Sequence, residues 1–107
     1  MKICIPKEGE NISQHFGQSP EFAIFTIENG AVISKEILKS PGHNPHILPE
    51  FLAGLGVTHI ITCGMGKKMQ EMFLPFNITV YTGVIGKVDD TIQKFLEGSL
   101  FFGQQPV

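Results

Sequence analysis

The dipeptide Asn29-Gly30 stands between two β-forming runs, residues 22–27 (FAIFTI) and 31–38 (AVISKEIL), and constrains the fold more than any other feature. Asn and Gly both tolerate positive φ, which a two-residue hairpin turn demands, so the two runs are expected to pair antiparallel. Before them, residues 2–5 (KICI) read as a buried strand ended by Pro6. Residues 6–20 then read as a long irregular loop, and loops of that length in compact domains tend to be functional.

The rest of the chain alternates. Residues 40–49 (SPGHNPHILP) form a second irregular segment. Leu48, Phe51, Leu52 and Leu55 then recur at helical spacing, with Pro49 tolerable only in the first turn and Gly56 as a left-handed stop. Residues 57–62 (VTHIIT) and 78–82 (ITVYT) read as strands. Between them a helix carries Met69, Met72, Phe73 and Phe76 on one face, limited by Pro75. A last helix opens at Val88 or Asp89, presents Val88, Ile92, Phe95 and Leu96, and stops at Gly98. In the tail, Phe101 and Phe102 are expected to dock, with fraying from Gly103 onward. The order β-ββ-α-β-α-β-α predicts a mixed sheet, parallel in its later half through right-handed crossovers.

A chain of 107 residues is one domain's worth of sequence, here taken as a single unit from 1 to 107. At 42% hydrophobic and 17% charged it can bury a core without disulfides or a structural metal. The net charge is −2, and all the basic residues are Lys. Arg is the side chain that grips phosphate and guanine with a rigid fork, so a nucleic-acid role is not expected. Neither is a membrane role, because no apolar run approaches the roughly 20 residues of a spanning helix. The start, MKICIP, is too short and too soon interrupted to be a signal peptide. Cys4 and Cys63 fall in apolar strand-like contexts, and a reducing cytoplasm is the expected location.

Four segments carry a family resemblance: His15-Phe16-Gly17, Pro41-Gly42-His43 followed by Leu48-Pro49, Gly64-Met65-Gly66, and residues 95–100 (FLEGSL). In this order over the full length, the chain resembles the dinitrogenase iron–molybdenum cofactor-binding domain family, as a stand-alone member. The resemblance implies a ribonuclease-H-like three-layer α/β fold, with a five-stranded mixed sheet flanked by about three helices. It also implies a binding or carrier role for an iron- or molybdenum-containing metal–sulfur cluster, possible cluster-assembly or acceptor proteins as partners, and no enzymatic activity. Where relatives often carry Gly-Gly-Met-Gly, this chain has Cys63 ahead of Gly64, so the cysteine must be judged on its own chemistry.

That chemistry centres on the turn after residues 57–62. Ligands of parallel sheets collect at the carboxyl ends of strands. Gly64 and Gly66 let a backbone approach a ligand, with Met65 between them. Lys67 and Lys68 fall at the wrong end of a helix for positive charge, which suits a bound anion but is equally compatible with two solvated lysines. Cys63 is either a soft thiolate ligand or simply core. His43 and His46, three apart, could share a metal if Cys63 supplied a third ligand, or could be solvated loop residues. His15 is a further family-like position, whereas His59 reads as a satisfied core histidine and Cys4 as core. A nuclease of this fold class needs clustered carboxylates for magnesium. The only aspartates, Asp89 and Asp90, read as helix caps. The rival functional reading is a ligand-free protein–protein interaction module in a cluster-assembly or redox complex.

Overall fold

In the computed structural model, which describes residues 1–41 and 45–100, a mixed sheet separates two helical layers. Its strands are β1 (Lys2–Glu8), β2 (Asn11–Ile12), β3 (Glu21–Glu28), β4 (Ala31–Lys39), β5 (His59–Ile61) and β6 (Thr79–Tyr81). The helices are α1 (Leu48–Gly54), α2 (Lys67–Phe73) and α3 (Val88–Glu97). The main path runs β4-β3-β1-β5-β6, with β2 paired to β1. Pairing is antiparallel from β4 to β1 and parallel from β1 to β6. The expected mixed α/β architecture with three helices is thus present, and short β2 is an addition to it.

Strand alternation divides the core cleanly between the two layers. Cys4, Phe22, Ile24, Ile60 and Val80 pack with Leu48 and Leu52 of α1 and Phe73 of α2. Ile3, Ile5, Ala23, Phe25, Ile27 and Ile61 pack on the other face with Val88 and Ile92 of α3. The hairpin turn has the expected dihedrals, φ 53° at Asn29 and 76° at Gly30. β4, an outer strand, carries a register shift opposite Thr26–Ile27 together with Lys35 and Lys39, devices that discourage edge-to-edge association.

Four local expectations need correction. Pro6 does not end β1, which continues to Glu8. The Pro6 carbonyl accepts from the Ser13 amide, so its missing N–H faces the same edge, beyond the last rung with β5 at Cys4, and no bond to β3 is lost. Residues 6–20 are accordingly not one loop, because β1, β2 and a 3-10 turn at Phe16–Gln18 organise them. Asp89 and Asp90 do not cap α3. Its N-cap position is Lys87, without a side-chain cap, and both aspartates stand in the first turn, where Asp89 meets Lys35 at 2.7 Å. Phe76 leaves the core face because Pro75 converts the end of α2 into a 3-10 turn, with Asn77 left-handed at φ 58°. Gly56 and Gly98 are left-handed helix stops as expected. Phe101, Phe102 and Gly103, expected to dock and then fray, lie outside the described residues.

Candidate functional site

β1 and β5 are parallel neighbours, so the chain leaves both at the same edge of the sheet. There the segment after β2 meets the segment after β5. His15 and Gly64 form an isolated parallel bridge, and the Phe16 amide donates to the Gly64 carbonyl at 2.9 Å. The Phe16 side chain is buried and holds the loop down. Its ring lies 5.3 Å from Phe22 and meets Phe73 edge-on at 5.7 Å. On the opposite side the turn is held by α2, where Gln70 Nε2 donates to the Met65 carbonyl at 2.8 Å.

Gly64 makes this contact possible. A Cβ there would stand 2.7 Å from the Gln14 carbonyl oxygen and 3.8 Å from His15 Nδ1. The first distance is shorter than real Cβ contacts allow, so a side chain at 64 would push the two segments apart. The need at this position is space.

Between the segments lies a depression of about 290 Å³, lined among others by His15, Gln18, Gly64, Met65, Gly66 and Met69. A second depression of about 390 Å³ shares His15 and Gln18 with it, and its lining adds Glu8, Asn11, Ser13 and Gln14. His15 is exposed, whereas Met65 and Met69 are half-buried against the core.

The structure brings His15, Gly64, Met65 and Gly66 together and leaves other candidates apart. Lys67 and Lys68 begin α2 exposed to solvent, beside the depression but outside its lining. Cys63 goes the other way. It packs against the α3 layer with Tyr81, Phe95 and Leu96, while its carbonyl accepts from the Gly83 amide at 2.8 Å. Strand alternation explains this, since Cys63 is two residues beyond Ile61 and shares its face. His46 is exposed in the 3-10 turn ahead of α1, and His43 lies outside the described residues. Among the described residues, no three His, Cys, Asp or Glu side chains gather into a metal-holding group.

Met69 and Gln18 were not signalled by the sequence. Helical spacing assigns Met69 to the core face, which is half correct, since it packs on the core and also lines the depression. Burial pushes the Cys4 thiol far above its ordinary range, which makes it inert packing. His59 is half-buried, with its ring parallel to Tyr81 at 6.2 Å and Nδ1 2.7 Å from the Thr58 hydroxyl. Burial, and then the nearby N-terminal charge, hold it below its ordinary value.

The family model described as "Dinitrogenase iron-molybdenum cofactor" matches residues 1–98. A protein of Methanocaldococcus jannaschii described as uncharacterized is 34% identical over 105 residues, covering 94% of this chain and 89% of that protein. The crystal structure of PH0822 superposes with a TM-score of 0.90 at 34% identity, covering 96% of this chain and 95% of that one. The apo form of the orange protein from Desulfovibrio gigas shares the fold, with a TM-score of 0.77 at 18% identity over 99% of this chain and 95% of that one. Among the described residues, no helix is long and apolar enough to cross a membrane.

Proposed function

The chain belongs to the dinitrogenase iron–molybdenum cofactor family, and from that premise we propose that it binds and carries an anionic metal–sulfur cluster containing iron or molybdenum. The role is binding and delivery to an acceptor protein, without catalysis. The observation that carries this reading is the depression at the shared carboxyl edge of β1 and β5, pinned by the His15–Gly64 bridge.

The residues there fit such a group in kind. Its own lining holds one imidazole and two soft thioethers but no carboxylate that would repel an anion. Without three clustered His, Cys, Asp or Glu ligands among the described residues, the site suits a preassembled cluster better than a caged hard divalent ion. His15 would supply one metal ligand, the open backbone at Gly66 would face the cluster, and Lys67 and Lys68 would add diffuse positive charge. The cluster itself would bring the redox chemistry. Cys63, on the far face, is not part of this proposal.

Anaerobic reconstitution with iron, sulfide and thiomolybdate, followed by desalting, tests the reading through metal content and visible absorbance. The parent and Cys63→Ser should stay coloured, while His15→Ala should lose most of its metal. Lys67→Ala/Lys68→Ala should weaken retention chiefly at low salt, because exposed charge is screened within about 10 Å at 0.1 M. A colourless, metal-free parent overturns the proposal. That outcome would favour the interaction-module reading, which rests on exposed Leu74 and Phe76 at the end of α2.

A further inference from the structure

We infer that His15, Met65 and Met69 form a binding site for a bare soft monovalent cation of the copper(I) and silver(I) class. The three residues line one depression although they come from three parts of the chain: the loop after β2, the turn after β5, and α2. The His15–Gly64 bridge places residue 15 one position from Met65, and the imidazole leans over the turn, with Nδ1 3.8 Å from where a Gly64 Cβ would stand. Gln70 fixes the Met65 backbone.

The donor set selects the ion. Thioether sulfur is polarisable and neutral, and it prefers copper(I) and its heavier analogue to hard divalent cations. The depression has no carboxylate to attract magnesium or calcium, and the Cys63 thiol that zinc would want lies on the opposite face of the sheet. The bland alternative is that both methionines only fill space above Phe16 and Phe73. Phe16 and Phe73 are themselves fully buried in that core, whereas Met65 and Met69 pack against it and remain only half-buried. Replacement by Leu separates the two readings, because Leu keeps the volume and removes the sulfur.

The inference does not depend on the cluster proposal, since the probe is the metal alone. Silver(I) nitrate is titrated into Cys63→Ser protein in chloride-free buffer, with ¹³C-methyl spectra of the methionines and calorimetry as readouts. One ion per chain should bind, shifting the methyl signals of Met65 and Met69 but not those of Met1 and Met72. Met65→Leu/Met69→Leu should lower affinity by about tenfold or more at an unchanged melting temperature, and His15→Ala should lower it as well. Parental affinity in the double Leu variant overturns the inference. So do shifts confined to Met1 and Met72, or displacement of silver(I) by equimolar zinc(II). Iron and molybdenum retention, measured separately, reports on the cluster proposal whichever way silver behaves.

Discussion

Gly30 and Gly64 both sit at turns, and they are glycines for different reasons. Gly30 has φ 76° and nothing within 4 Å of where a Cβ would project, so its need is one of dihedral angle. Gly64 has no positive φ, and a carbonyl from a segment 50 residues away occupies the place of its side chain. The hairpin turn is specified by its own two residues. The site turn is specified by what docks on it, which is why the first was plain in the sequence and the second was not.

The strongest way to break this contrast is Gly64→Ala. The added methyl meets backbone rather than a yielding side chain, so the 13–18 loop must lift. Overpacking of this kind costs typically 1–3 kcal/mol, which urea unfolding would read directly. Amide exchange should accelerate at Phe16, whose N–H bonds the Gly64 carbonyl, and the His15 ring should lose its ordered position. A stability and a Phe16 exchange rate equal to the parent's would show that the bridge is incidental.

Gly30→Ala sharpens the contrast from the other side. The strain is purely local, about 1–2 kcal/mol for a left-handed L-residue, and Gly30→Asn should recover most of it. Neither change should move ligand retention. Rescue by Asn at 30 with no rescue by Asn at 64 would separate a dihedral requirement from a steric one.

The smallest effect lies at the opposite end of β5 from Gly64. His59 is held below its ordinary value of 6.5, so the folded state favours the neutral imidazole. Its contribution is present above pH 6.5 and is lost as pH falls below that value, because the unfolded chain takes up the proton first. Unfolding free energies between pH 7.5 and 5.5 should fall less steeply for His59→Gln than for the parent. Equal slopes would remove His59 from the account.

Legibility followed the same division. Features fixed within a few residues could be read: the Asn29-Gly30 hairpin, the left-handed stops at Gly56 and Gly98, and the two-layer alternation from Ile3 to Ile61. Pro6 was misjudged because a proline ends a strand only where its missing donor faces a partner, and which edge it faces depends on where β5 ends. Asp89 has the chemistry of a cap, yet it lies within the first turn of α3 and pairs with Lys35. The candidate site was legible in residue type but not in grouping. His15 and the glycine turn were singled out separately, and only the parallel register of β1 and β5 joins them. Cys63 shows the converse. Counting by twos from Ile61 would have sent it to the α3 side, but its place beside the glycines drew it into the turn.

The plugging of the 13–18 loop by one buried aromatic has an evolutionary consequence. Phe16 carries the loop's attachment to the core, while its neighbours His15 and Gly17 are exposed and make no contribution to the hydrophobic interior. Substitutions at 15 and 17 therefore leave the docking of the loop to Phe16. A lineage built on this fold can exchange the chemical character of this exposed edge one residue at a time, because the part of the loop that must be inherited intact and the part that lines the depression are different side chains.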